Sequence, residues 1–425
     1  MSNDNESGSR GRGLWGDSDF LKLWGGQTIS LLGSQVTALA FPLTAVITFR
    51  ASSMQLGALV ACQYAPALLF GLFAGVWVDR MRRRPVLILT NVARGVLLGA
   101  VPAAALLGLL RIEHLYVLSL LTGALAIFFE VAYLSYLPTL IRHERLLEGN
   151  SKLQLSASAS FVAGPGLAGL LVQWLTAPLA LAVDAASFFI SAAFFGAIRR
   201  PEPARPPGGE PKAVREEIAE GFRAVGADPV LRAIVSCTTT SNFFINMLVS
   251  IRLLYAARDL NLQPATIGFL FAAGSLGSLA AAACAGRISR SLGVGPTVIV
   301  MQLLVGVSAL IIPLAGGGFP VMVATITGSL ILWGFAMTTY DITQISYRQA
   351  VAPHRLLGRL NASIRFLAWG ASVPGALLGG VMGEALGLRA TLLVSAAGVL
   401  GASLWTLFSP ARHLRQMPAG TTRAP

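Results

Sequence analysis

A succession of apolar runs of about 20 residues or more, separated by short polar or basic breaks, constrains the fold of this chain more than any other feature. Each run is long enough to cross a bilayer core as a helix. Cut at the breaks, the runs give twelve spans over roughly 21–49, 56–78, 85–110, 115–141, 151–174, 179–198, 229–257, 265–286, 295–315, 319–347, 357–384 and 389–409. With 54% hydrophobic and only 12% charged residues, the apolar surface exceeds what one water-soluble core can bury, so lipid must cover the remainder. The expected fold class is an all-α membrane protein of twelve transmembrane helices.

The net charge of +13 would suit a nucleic-acid binder if the cations shared one polar face. They lie instead in short clusters between apolar runs, so a lipid bilayer and not nucleic acid is the expected partner. With the N-terminus cytoplasmic, roughly 26 of the 32 Lys and Arg fall at inner helix ends, and about four, Arg50, Arg111, Arg258 and Arg389, fall outside. An odd number of spans would scramble this bias. Both termini are therefore expected inside a multi-pass protein of the cell membrane.

The organisation follows from composition. Residues 1–19 are polar and rich in Gly and Ser and are expected to form a disordered cytoplasmic tail; 20–198 form a first six-helix half. Residues 199–228 form a linker opening Pro201-Glu-Pro-Ala-Arg-Pro-Pro-Gly-Gly, which cannot propagate a helix. Later in the linker Ile218, Phe222 and Val225 recur at helical spacing among Glu216, Glu217, Glu220 and Arg223, so a short amphipathic surface helix is expected. Residues 229–409 form the second half and 410–425 a cytoplasmic tail. Cys62, Cys237 and Cys284 sit inside apolar runs without metal-ligand or redox spacing and read as small core residues.

The halves are related by duplication. Arg145-Leu-Leu-Glu-Gly-Asn150-Ser after the fourth span matches Arg355-Leu-Leu-Gly-Arg-Leu-Asn361-Ala-Ser after the tenth, at an offset of about 210 residues. Gly164-Pro165 followed by Gly169 in the fifth span matches Val373-Pro374 followed by Gly379-Gly380 in the eleventh. Two six-helix halves about a pseudo-two-fold axis along the membrane normal are a transporter architecture, with substrate bound at the repeat interface near midplane.

Between the second and third spans stands Gly71-Leu-Phe-Ala-Gly75-Val-Trp-Val-Asp79-Arg80-Met-Arg82-Arg83-Arg84-Pro85. This loop resembles the signature Gly-x-x-x-Asp-Arg-x-Gly-Arg-Arg of the major facilitator superfamily, with Arg82 in place of the second Gly. A weaker copy, Gly286-Arg287-Ile-Ser-Arg290, occupies the equivalent loop of the second half. The resemblance spans nearly the whole chain and is closest to the enterobactin-exporter and macrolide-efflux branch. It rests also on Leu23-Trp24-x-Gly26-Gln27-x-Ile29-Ser30-x-Leu32-Gly33-Ser34, Phe128-Phe129-Glu130-x-Ala132-Tyr133, Ala163-Gly164-Pro165 and Asp184-Ala185-x-Ser187-Phe188. That branch usually carries Asp where Glu130 and Asn91 stand, so carboxylate chemistry survives at the first position and is lost at the second. The resemblance implies a secondary transporter, with export the favoured direction.

In the signature loop Asp79 can accept hydrogen bonds from a helix N-terminus, while Arg80, Arg83 and Arg84 can find acidic or phosphate partners, with Glu144 and Glu148 the nearby candidates. Such a latch would close the cytoplasmic side in the outward-open state; simple positive-inside anchoring is the alternative. Gly164, Pro165 and Gly169, with Pro374 in the second half, mark helix bends on packing faces. They partly resemble the Gly-Pro motif of antiporters, and an ordinary kink is the competing reading.

An ionised side chain at the bilayer centre costs about 2.5 to 3.5 kcal/mol on insertion scales, so each one present needs a partner or a cavity. Arg94, Glu130, Asp184 and Asp341 are such residues, with Arg252 nearer the outer end of its span. Arg94 and Glu130 lie at similar depth, roughly 14 and 17 Å from the inner ends of their spans, and can pair. Glu130 and Asp341 stand one repeat offset apart, in spans that line the cavity of the resembled family. Burial favours a neutral carboxyl and a nearby cation an ionised one, so opening and closing can change its proton affinity and couple transport to protons. The competing reading is a static Arg94–Glu130 pair with Asp341 in an inner-end network, and Asp184 reads first as a packing or gating group.

Gln27, Gln35, Tyr133, Asn242, Phe243, Asn246, Trp333 and Tyr340 offer amide, phenol and ring surfaces on the presumed cavity helices, suited to a fairly large amphipathic molecule. Each can equally face a neighbouring helix. An antibiotic, a siderophore or another natural product fits this description. An importer or passive facilitator of the same fold is the alternative. Paired His ligands, a nucleotide loop and a nucleophile elbow are missing from the sequence, so neither a membrane enzyme nor a resident cofactor or metal is expected. The fold is usually a functional monomer.

Overall fold

A computed structural model describes residues 14–71, 73, 77–78, 81–142, 145–202, 214–351 and 354–416. Its described residues contain twelve helices long and apolar enough to cross a membrane. The first six are Ser18–Thr48, Ser53–Phe70, Arg83–Leu106, Ile112–Leu140, Leu146–Leu175 and Ala177–Gly196. The second six are Pro229–Arg258, Pro264–Leu292, Val294–Leu314, Phe319–Val351, Arg359–Ala385 and Leu388–Leu407.

Local chemistry sets where several spans begin. The Asp17 carboxylate accepts from the N–H groups of Asp19 and Phe20 to cap the first span. Ser52 and Gln55 form a reciprocal capping box on the second. Asp228 caps the seventh, where Pro229 occupies the first helical position and lacks the N–H that would be orphaned there. Two spans run longer than their apolar runs: the fifth starts at Leu146 and the eighth continues to Leu292. Polar residues outside the bilayer can still carry a helix, so hydropathy alone cuts these ends short.

Packing repeats between the halves. Within the first half, the first span packs on the fifth and sixth, the third on the fourth and sixth, and the second on the fourth. The same pairs recur among the seventh to twelfth spans, each number raised by six. The two most extensive packings between the halves are the second span with the eleventh and the fifth with the eighth. Both cross at facing glycines: a Cβ at Gly57 would stand 2.9 Å from the Gly380 Cα, and one at Gly268 would stand 2.8 Å from the Gly169 Cα. The sequence step from Gly57 to Gly268 equals that from Gly169 to Gly380, so the two crossings are the same contact generated twice by the pseudo-two-fold axis.

The buried apolar side chains show how the halves meet. On the face away from the chain ends, one core runs continuously through both halves, joining Leu39, Leu56 and Leu98 to Leu254, Ile267 and Leu330. On the face carrying the ends, each half keeps its own core, one around Phe20, Leu87 and Tyr136, the other around Ile234, Val298 and Tyr347. The halves are thus welded at the far face and parted at the terminal face.

Three details refine the sequence expectations. The described part of the 1–19 tail is packed: Leu14 is buried and donates its N–H to Glu148 Oε1 at 2.9 Å, while Trp15 meets Trp24 edge-on. Burial of the apolar Leu14 side chain against the bundle end favours this docking. The linker contains a helix at Val214–Ala227 that packs on the terminal-face part of the eleventh span, with an ion pair between Glu220 and Arg359 and an edge-on Phe222–Phe366 contact. The eleventh span is broken at Ala371 into His354–Gly370 and Ser372–Ala385, so Pro374 falls in the first turn of the second segment, where its missing N–H costs little.

Candidate functional site

A cavity of about 390 Å³ lies between the halves beneath the continuous core. Leu39, Leu56, Leu59, Leu98 and Leu253 belong both to its lining and to that core, so they close it toward the far face. Its charged lining residues are Arg94, Glu130, Asp184 and Arg252. Three of the four intramembrane charges singled out in the sequence therefore converge here, together with Arg252.

Asp184 is fully buried and well partnered. Thr37 Oγ1 donates to its Oδ2 at 2.5 Å and Ser187 Oγ to its Oδ1 at 2.8 Å. Thr37 comes from the first span and Ser187 from one helical turn beyond Asp184, so this carboxylate ties the first and sixth spans together. A Cβ at Gly33 would collide with both Ser187 Oγ and Asp184 Oδ1, which explains glycine at that position. Nearby, Asn91 Nδ2 donates to Ser191 Oγ at 3.0 Å, a neutral bond between the third and sixth spans.

The Arg94 guanidinium carbon lies over the Phe188 ring, 4.0 Å from its centroid, and its buried Nε has no hydrogen-bond partner. It forms no salt bridge with Glu130. The Glu130 carboxylate pairs instead with Arg365 of the eleventh span, Oε1 to Nη2 at 2.8 Å, and Arg365 stacks over Trp369, another cavity residue. The expected Arg94–Glu130 pair is corrected accordingly: similar depth brings both to one cavity, but the cation that reaches Glu130 comes from the opposite half. Arg252 likewise covers an aromatic face, 4.7 Å from the Phe271 centroid.

Asp341 lies elsewhere, toward the terminal face. It accepts from Gln344 Nε2 at 3.2 Å; Gln344 Oε1 in turn accepts from Arg348, whose other terminal nitrogen donates to Asn361 Oδ1 at 2.8 Å. The chain of polar contacts joins the tenth and eleventh spans. Although Glu130 and Asp341 are equivalent in the repeat, the first faces the cavity and the second a helix interface.

Of the signature loop, Gly75, Asp79 and Arg80 lie outside the described residues, as does Glu144. Arg83 finds its acid in Glu202 of the linker, which accepts from the Arg83 backbone N–H at 3.0 Å and from its side chain at 3.4 Å. Arg84 donates to the Phe195 and Gly196 carbonyls, which end the sixth span. Glu148 takes Lys152 and the Leu14 N–H, so it is not the partner of either arginine. Glu202 escaped notice in the sequence because it lies among prolines, though an acid one residue beyond the Arg199-Arg200-Pro201 break was a signal.

Among the described residues lining the cavity, none of the eight presumed substrate contacts appears. Gln27 is partly buried with an unpartnered Oε1, and Gln35 packs against Gly164. Tyr133 stacks on Phe129, and Phe243 meets Phe244 edge-on. Asn242 bonds within its own helix, whereas Asn246 bonds Ser372 Oγ at 2.9 Å. Trp333 packs between two cores, and the buried Tyr340 hydroxyl meets Thr238 Oγ1 at 2.8 Å. Gly169 sits at the inter-half crossing, and the Pro165 carbonyl approaches Gly268 there, so the bend motif of the fifth span serves close packing.

Twelve spans in two equivalent halves around a charged cavity agree with the comparisons. The model of the Major Facilitator Superfamily matches residues 23–375. The chain belongs to this superfamily. It is 26% identical over 394 residues to the multidrug efflux pump Tap of Mycolicibacterium fortuitum, covering 91% of this chain and 93% of Tap. It is 28% identical over 369 residues to the enterobactin exporter EntS of Escherichia coli K12, covering 84% of each. Among solved structures it resembles a point-substituted form of the nucleoside transporter NupG, with a TM-score of 0.75 at 11% identity over 92% of this chain and 99% of that one. The superfamily member is a multi-pass membrane transporter with efflux-pump relatives, not an enzyme.

Proposed function

We propose that the chain exports an amphipathic small molecule across the cell membrane by alternating access, in exchange for protons. The Glu130–Arg365 pair carries this reading. It joins the two halves beside the cavity, both side chains are half exposed, and it is an ion pair only with a carboxylate at Glu130. A proton reaching Glu130 removes one charge and weakens the tie between the halves, which is how a proton can bias an alternating-access equilibrium. Asp184 and Arg94 set the electrostatics of the cavity, and the Asp341 network braces the second half.

With the basic face taken as cytoplasmic, the continuous core seals the outside and the parted cores leave the cavity reachable from within, the state in which an exporter loads. Arg83, at the start of the third span, then lies at the inner end of the bundle, where Glu202 holds it to the linker. The relatives named as an exporter and an efflux pump support outward transport. Each chain supplies a complete cavity, so a monomer suffices. The test uses everted vesicles: an acid interior should drive uptake of a macrolide or a catechol siderophore, and an uncoupler should abolish it. Uptake that ignores the uncoupler would make the chain a facilitator.

A further inference from the structure

The cavity holds two guanidiniums, Arg94 and Arg252, that form no close ion pair with the described residues of the protein. Among the described residues, Arg94 and Arg252 form no salt bridge and donate no hydrogen bond, and Arg94 Nε is buried and unpartnered. Of the two acids of the same cavity, one faces Arg94 while bonded to neutral hydroxyls and the other is held by a third arginine. Asp184 accepts from Thr37 and Ser187, and Glu130 holds Arg365. With Arg365 counted, three arginines stand against two acids, and since arginine does not shed its proton an anionic ligand is the route that balances the excess.

The geometry points to a subsite for an anionic group, held between Arg94 of the first half and Arg252 of the second, with an apolar body of the ligand against the leucines above. We infer that the transported molecule is an amphipathic acid bearing a carboxylate, phenolate or sulfonate. Each guanidinium carbon lies over an aromatic ring, Arg94 over Phe188 and Arg252 over Phe271, a contact that consumes none of the N–H donors an acidic group would use. The Leu39, Leu59, Leu98 and Leu253 side chains supply the apolar wall. One cation comes from each half, so an anion in the cavity attracts both halves at once. Loading the substrate would thereby change the balance between the cavity states.

This inference rests on the transport reading and narrows its substrate class. Its test is equilibrium binding, by fluorescence anisotropy with protein in nanodiscs, of fluorescein and of rhodamine 123, anionic and cationic dyes on the same xanthene skeleton. Fluorescein should bind the wild type, and Arg94→Gln or Arg252→Gln should each weaken it by about tenfold or more. Arg252→Lys, which keeps the charge but not the planar fork, should retain more affinity than Arg252→Gln, and rhodamine 123 should not respond to loss of either arginine. Thermal midpoints identify any variant that fails to fold, and Arg252→Lys then decides the charge requirement. Equal binding of both dyes, no fluorescein binding by the wild type, or indifference to the substitutions would overturn the subsite. Dye binding is read apart from transport: proton-driven export of cations with no fluorescein binding removes the subsite alone, whereas arginine-dependent binding without proton-linked movement strikes the transport reading.

Discussion

Glu130 Oε1 and Arg365 Nη2 lie 2.8 Å apart although 235 residues separate them in sequence, and they belong to opposite halves of the bundle. Both side chains are 47% exposed, so water and the cavity share the pair. At that exposure an ion pair contributes at most about 1 kcal/mol to stability. Its position makes it a switch more than a brace, because motion of one half against the other must break it.

Glu130→Gln and Arg365→Gln should each leave the thermal midpoint nearly unchanged while lowering transport roughly 5- to 150-fold, the range of a coupling of about 1–3 kcal/mol. The exchange Glu130→Arg with Arg365→Glu should recover part of that loss. Transport assays and thermal melts of the three variants provide the check, and single variants that transport normally would make the pair incidental.

The paired glycine crossings predict a localised intolerance. Gly57→Ala and Gly268→Ala place a methyl group against the facing helix and should each destabilise the protein by about 1–3 kcal/mol. Gly401→Ala is the control, since a Cβ there meets nothing within 4 Å, and it should change stability by less than about 0.5 kcal/mol. Equal melting temperatures for all three would mean that the halves are not held by close backbone contact.

Thr176, between the fifth and sixth spans, has φ 78° and ψ 156°, a region that suits glycine. Its repeat equivalent is Gly387, with φ 84° and ψ 158°. The duplication has kept the turn in both halves but the glycine in only one. Thr176→Gly should therefore raise stability by about 1 kcal/mol, relief of backbone strain outweighing the greater freedom of the unfolded chain. A melting temperature that stays level or falls would show the turn to be unstrained.

How much of this was legible in the sequence depended on the length scale of the signal. Twelve spans and two halves follow from apolar runs and a repeat offset, which are properties of contiguous chain. The same step relates Gly57 to Gly268, so that crossing was within reach of the repeat argument. The partner of Glu130 was not, because depth along a helix says nothing about which neighbour its side chain faces. Asp341 shows the same limit: a repeat makes it the equivalent of Glu130, yet it bonds Gln344 at the head of the Gln344–Arg348–Asn361 network and does not line the cavity. Arg252 lay nearer the outer end of its span and so looked peripheral, until the third dimension placed it in the cavity lining.

Asp184 and Arg94 should behave as coupled residues. Asp184→Asn removes the charge that faces Arg94 and one acceptor used by Thr37 and Ser187, at a cost of about 1–3 kcal/mol. Adding Arg94→Gln should cost less than the sum of the two single changes, with an interaction of about 0.5–3 kcal/mol. A double-mutant cycle on thermal or denaturant unfolding measures this, and strict additivity would separate the two residues.

The most direct test of proton-coupled export is simultaneous measurement of substrate and proton movement by purified protein in proteoliposomes, comparing wild type with Glu130→Gln. The expected result is substrate-dependent proton flux in the opposite direction that disappears in the variant while the protein remains folded. Substrate movement without proton flux in either protein, or an unchanged flux ratio in Glu130→Gln, would contradict proton exchange through this residue.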